Sequence, residues 1–321
     1  MMRLVAVAAL VLGAHGFDRS LHPITSTMVA VYTPMKDGGF ELDLDKIEPY
    51  AAFIKARNIT NVLPAGSNGE SLSLSVDERK ALLEAWGAAA LAHGLKIYMH
   101  IGSESVVDSA ALAAHAATVK GCYGIVAMTP VYFKPTVASL VDFLAPVAAA
   151  APELPFWYYH FPDDTGVLPG QAHEFLAAAD ASGKIPTLMG IKFTDYNLLD
   201  FQRCKAVAGG AYNMLYGRDE MALSAFAMGA SAAVSSTVGY SPTLREAVAL
   251  WERGDRAGAL AAQARNADLC SYFGGYQANV QKNLMKAVGF DVGPSRVPKF
   301  DLGAADLASL AAKLNAKHLL D

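Results

Sequence analysis

From residue 27 onward the chain alternates between two kinds of segment. Short runs are apolar at nearly every position; longer segments repeat their apolar residues every three or four positions. The short runs fall at 27–34, 61–66, 96–102, 123–129, 155–161, 188–193, 212–217 and 232–237. A strand that is apolar on both faces has to be covered on both, as in parallel sheets flanked by helices. The intervening segments read as helices. Residues 45–57 carry Ile47, Tyr50 and Ile54 at helical spacing. Ser75 and Glu78 form an S-x-x-E capping box ahead of a helix reaching about residue 92. Further helices are expected near 106–119, 137–150, 170–182, 198–208, 219–229 and 242–253.

Eight such pairs in order predict an α/β chain closed into a single (β/α)8 TIM barrel over residues 17–253. An open doubly wound sheet usually has a glycine-rich phosphate turn after its first strand, and YTPMKDGG is not one. Helical spacing at 256–270, 278–288 and 303–318 predicts a C-terminal helical extension, residues 254–321, of the same domain. On a barrel of this kind, chemistry sits at the C-terminal ends of the strands and in the loops that follow them.

Residues 1–16 stand apart from this pattern. One Arg, an apolar run over residues 4–12 and small residues at Ala14 and Gly16 give the layout of a secretory signal peptide. The alternative is a plain N-terminal extension. The first reading sends the chain to the secretory pathway or an organelle, the second leaves it in the cytoplasm. The apolar run is too short to span a membrane, and no later stretch qualifies, so no membrane is expected as a partner after processing.

Composition narrows the chemistry. Hydrophobic residues make up 53% of the 321 and charged ones 17%, enough for a large core and too ordered a mix for long disorder. With 26 basic and 30 acidic residues and no basic cluster, the chain is a poor candidate for binding nucleic acid. Cys122, Cys204 and Cys270 lie far apart, and the eight histidines show no HExxH or HxH spacing. No metal site is expected.

Lys192 is the anomaly, a cation inside the apolar run TLMGIKF. Desolvation disfavours its ammonium form, and a neutral amine near pH 7 is a nucleophile toward ketones. A lysine paired to a buried carboxylate would fit the position equally well. Tyr159 ends the fifth run, where a phenol can move a proton or simply pack. In GSNGE, Gly66 and Gly69 flank Ser67 and Asn68, an arrangement able to cradle a carboxylate or to make an ordinary strand-to-helix turn. In YGRDE, Asp219 and Glu220 can accept hydrogen bonds from a polyol or cap the next helix.

GSNGE-x7-ER, TPVYFKP, YYHFPDDTGV, GIKFTDYNLLDF and YGRDE occur in this order. Together they resemble the pyruvate-dependent class I aldolases, the family of dihydrodipicolinate synthase and N-acetylneuraminate lyase, over roughly residues 25–300. Within it, YYH, KFTDYNLLDF and the DE pair are most similar to the eukaryotic-type lyases. The resemblance implies a Schiff base between Lys192 and the C2 ketone of a 2-oxo sugar acid, with no metal or organic cofactor. It implies that Tyr159 moves the proton of the C4 hydroxyl and that Ser67 and Asn68 hold the carboxylate. Thr194, Gly217, Asp219, Glu220 and Ser236 would contact the sugar chain. Tyr132 would reach toward a neighbouring subunit's site in a homotetramer.

Two positions depart from the lyase pattern. Asn68 stands where threonine is usual, and Asp164 stands where lyases have leucine and dihydrodipicolinate synthases have arginine. An aspartate there is expected to repel a second carboxylate, making aspartate semialdehyde and 4-hydroxy-2-oxoglutarate poor substrates, and Asp164 is expected to join Asp219 and Glu220 in binding a neutral polyol aldehyde instead. Two other readings remain open: a 2-keto-3-deoxy-sugar-acid or 4-hydroxy-2-oxoglutarate aldolase of the same family, and a non-catalytic barrel that binds an oxo acid.

Overall fold

Eight parallel strands pair in chain order and close on themselves. A computed structural model describes residues 17–273 and 279–321. The strands are β1 (Ser26–Ala30), β2 (Asn61–Leu63), β3 (Lys96–His100), β4 (Cys122–Met128), β5 (Phe156–His160), β6 (Leu188–Phe193), β7 (Asn213–Tyr216) and β8 (Ala232–Ser235). The helices after β1 to β4 are α1 (Ile47–Ala56), α2 (Val76–His93), α3 (Val106–Thr118) and α4 (Val137–Ala149). β5 is followed by a four-residue turn of helix, α5 (Pro162–Thr165), and then by α6 (Ala172–Ser182). Next come α7 (Leu198–Ala206), α8 (Ala222–Ala227) and α9 (Thr243–Glu252). Three more helices end the chain: α10 (Arg256–Cys270), α11 (Val280–Ala287) and α12 (Ala304–Ala316).

The predicted (β/α)8 architecture is therefore the observed one. Several strands stop short of their apolar runs: β1 ends at Ala30 rather than residue 34, and β2 at Leu63 rather than residue 66. The residues left over are the buried starts of the loops that carry the site. The segment read as a targeting signal, residues 1–16, lies outside the described residues.

Parity decides which side chains enter the barrel. Trp157 and Tyr159 of β5 point inward with Met28, Leu63, Val126 and Leu215, whereas Tyr158 packs outward on Phe175 of α6 at 4.4 Å between ring centroids. The β5–β6 ladder pairs Phe156 with Leu188 but Trp157 with Gly190, so Met189 is an extra residue. Gly190 is required beside this bulge because a Cβ would overlap the Asn213 backbone. Beyond the bulge, Tyr159 and Lys192 become register partners.

The end of the barrel opposite the site is covered by the segment before β1. The Ile24 N–H donates to Asn213 Oδ1 at 3.1 Å, Asn213 Nδ2 donates to the Ile24 carbonyl at 3.0 Å, and Arg19 Nε donates to the Leu188 carbonyl at 2.8 Å. Among the described residues no helix is long and apolar enough to cross a membrane.

Candidate active site

The loops at the C-terminal ends of the strands enclose a cavity of about 410 Å³. Of the residues singled out above, Ser67, Asn68, Tyr159, Lys192, Thr194, Gly217, Asp219, Glu220 and Ser236 line it. They arrive from five places, from β5, from β6 and the loop after it, and from the loops after β2, β7 and β8, so only closure of the barrel brings them together.

Lys192 is buried, and its Nζ lies 3.6 Å from the centroid of the Tyr159 ring. Burial pulls the amine down to about 7, opposed by the negative charge of Asp219. The salt-bridged alternative is not what the fold provides. Among the described residues no carboxylate sits within ion-pair distance of Nζ. Tyr159 meets Ser67 hydroxyl to hydroxyl at 3.1 Å, which links the turn after β2 to the ring under the amine. Asn68 Nδ2 donates to the Ala30 carbonyl at 3.4 Å, tying the same turn to β1. The edge of the Tyr159 ring contacts His100 at 6.0 Å between centroids. Burial, together with the Arg79 and Lys192 charges, holds His100 well below the usual imidazole range. A neutral imidazole therefore backs the Tyr159 ring.

Asp219 does not cap the following helix. Its Oδ2 accepts from Ser235 Oγ at 2.7 Å, the Ser236 N–H at 3.1 Å, the Thr237 N–H at 2.9 Å and Thr237 Oγ1 at 2.8 Å. The aspartate thus pins the loop after β8. It is drawn out of the helix predicted over 219–229, whose regular part is only α8. Burial pushes its carboxyl up to about 6, against those hydrogen bonds. Asp219 Oδ1 and Thr194 Oγ1 are buried and have no hydrogen-bond partner among the described residues. Buried polar atoms are rarely left this way unless a ligand or water serves them. Gly217 fits because a Cβ would overlap Thr194 Oγ1. Glu220 accepts a hydrogen bond from the Tyr196 hydroxyl.

Two candidates fall outside the cavity. Tyr132 is 79% exposed in the loop after β4 and packs edge-on against Phe133, itself 82% exposed. Asp164 is exposed on α5, where successive residues project about 100° apart, and its neighbour Asp163 lines the cavity instead. Asp163 is paired with Arg218, which also lines the cavity, as does Lys299. The rim is therefore mixed in charge, and the Arg218 and Lys299 charges act on Asp164 as well. Sequence reading missed Asp163, Arg218 and Tyr196, although all three lie within one to three residues of positions it chose.

The GSNGE-x7-ER run proves to be bracing for the site. Glu70 Oε1 accepts from Lys282 Nζ at 2.7 Å, and Arg296 forks onto Glu78 at 2.8 and 2.7 Å. Buried Arg79 donates to the carbonyls of His100 at 2.7 Å and Gly102 at 2.9 Å.

The model of the dihydrodipicolinate synthetase family matches residues 23–317. The chain belongs to this family. N-acetylneuraminate lyase of Mus musculus is 37% identical over 300 residues, covering 91% of this chain and 92% of the relative. The Homo sapiens N-acetylneuraminate lyase is 36% identical with the same coverage. Among solved structures, the Proteus mirabilis N-acetylneuraminate lyase superposes with a TM-score of 0.85 at 32% identity, covering 93% of this chain and all of that one.

Proposed function

We propose that this protein is a Schiff-base aldolase that reversibly cleaves N-acetylneuraminate to N-acetylmannosamine and pyruvate. The observation that carries the reading is Lys192: a buried amine, without a carboxylate partner among the described residues, against the Tyr159 ring in a cavity with buried, unserved polar atoms. The relatives named N-acetylneuraminate lyase favour the nine-carbon acid over the 2-keto-3-deoxy alternative.

In this reading the neutral Lys192 amine adds to the C2 ketone, and uptake of one proton from solvent with loss of water leaves a protonated imine. Ser67 and Asn68 hold the adjacent carboxylate. The C4 hydroxyl gives its proton to the Tyr159 oxygen as Tyr159 passes its own phenolic proton through the Ser67 hydroxyl, 3.1 Å away, to the substrate carboxylate. The C3–C4 bond breaks, its electrons pass into the imine as an enamine, and the C4 end leaves as the aldehyde. Protonation at C3 and hydrolysis release pyruvate and return the amine. Every electron pair stays within substrate and lysine, so the sequence of steps needs no metal or organic cofactor. Thr194, Gly217, Asp219, Glu220 and Ser236 serve the sugar chain.

Borohydride reduction with pyruvate present should leave a stable adduct on Lys192, read by intact mass and peptide mapping. A pyruvate-release assay across sialic acids and 2-keto-3-deoxy acids should be fastest with N-acetylneuraminate. Faster release from a six-carbon acid would favour the alternative aldolase, and no adduct at all would favour a binding barrel. The same reading makes the working unit a homotetramer in which Tyr132 and Phe133 meet a neighbouring subunit, and sedimentation equilibrium should return four times the 33.9 kDa chain mass. A monomer at working concentrations would refute that assembly.

A further inference from the structure

Asp163 and Arg218 come from different loops, after β5 and β7, yet form one pair on the wall of the cavity that holds Lys192. Arg218 is buried, with its guanidinium carbon 4.3 Å from the Tyr196 ring centroid and 5.2 Å from that of Phe161. A buried guanidinium is costly without an anion beside it, and Asp163 supplies one. The pairing has a second effect. Asp163 is half exposed, and a carboxylate in that setting ordinarily samples several rotamers. Arg218 holds it through Oδ2, and among the described residues no donor meets its other oxygen.

We propose that Asp163 accepts hydrogen bonds from hydroxyls at the far end of the substrate's polyol chain, with Arg218 as its positioning residue. The pair would thereby select nine-carbon over six-carbon 2-oxo acids. The inference rests on the aldolase reading above and adds a determinant to it. A carboxylate has two oxygens and about four acceptor sites, so one bound to an arginine still has capacity for a diol. A second carboxylate on the substrate would have to displace Asp163 from Arg218, whereas a neutral polyol need not. The neighbouring wall is fixed in the same way, because the Tyr196 ring that packs on Arg218 also donates its hydroxyl proton to Glu220.

The test is steady-state kinetics on N-acetylneuraminate and on a six-carbon 2-oxo-3-deoxy acid. Losing one charge-assisted hydrogen bond should raise KM for the nine-carbon acid about ten-fold or more in Asp163→Ala. Its kcat should move far less, and so should KM for the six-carbon acid. Arg218→Met should show the same split, and Arg218→Lys, which keeps the cation and loses the fork, should recover part of it. Pyruvate trapping separates two failures. If the wild type forms no adduct with pyruvate, the aldolase reading falls. If it does form one, but Asp163→Ala shifts KM for both acids alike or for neither, the proposed role of Asp163 falls.

Discussion

Lys192→Met is expected to remove turnover and, at neutral pH, to make the protein more stable. Loss of a covalent nucleophile leaves only binding and electrostatics, so activity should fall below about one thousandth of wild type. The stability gain has a separate origin. The amine titrates at about 7 in the folded chain, against about 10.4 when unfolded. Between those values the unfolded chain binds the extra proton, so wild-type stability rises with pH from about 7 to about 10. Below that window the burial penalty is present in full. Methionine has a similar length and no charge to bury, so the variant should gain on the order of 3 kcal/mol at pH 7. The advantage should shrink toward zero near pH 10. Thermal melts of both proteins across pH 6 to 10 would test this, and a variant less stable than wild type at pH 7 would refute it. Under the proposed mechanism the same titration governs catalysis. Only the neutral amine attacks, so kcat/KM should climb with pH through about 7 before levelling. A flat profile from about pH 6 to 8 would show that Lys192 does not set the acidic limb.

The barrel was legible because its strands are apolar on both faces, a pattern that leaves little choice of architecture. The capping box was legible for the same local reason and is present, with Ser75 N–H on Glu78 Oε2 at 2.8 Å. Lys192 stood out as a charge where none is cheap. Tyr159 could be separated from Tyr158 only by resemblance, since neither the inward parity of β5 nor the bulge at Met189 that sets Tyr159 against Lys192 can be counted from residue types. That Asp163, rather than Asp164, lines the cavity was hidden for a related reason. The two are adjacent and identical, and which one faces the cavity depends on α5, a single turn begun by Pro162 that no periodicity announces. Arg218 acquires its meaning only where the loops after β5, β6 and β7 converge.

Lys282→Met is expected to destabilise the fold by about 3–5 kcal/mol, the cost of stranding a buried charge. Lys282 and Glu70 are 212 positions apart, and both side chains are fully buried. Lys282 Nζ also donates to the Pro294 carbonyl at 2.7 Å, and Glu70 Oε2 accepts the Arg296 N–H at 2.7 Å. With the lysine gone, Glu70 keeps one backbone donor and loses its directly bonded counter-charge. Glu70 also ends the Gly66–Glu70 turn, where its backbone is left-handed at φ 61°, a conformation that costs a non-glycine residue energy unless its surroundings hold it. Loosening that turn should displace Ser67 and Asn68, so KM for pyruvate in the condensation direction should rise as well. Adding Glu70→Gln removes the orphaned charge, and the double variant should recover much of the lost stability. Urea midpoints of the wild type, both single variants and the double would complete the cycle. A single variant within about 1 kcal/mol of wild type, or a double variant no better than Lys282→Met, would mean that this pair does not hold the C-terminal helices to the turn that carries Ser67 and Asn68.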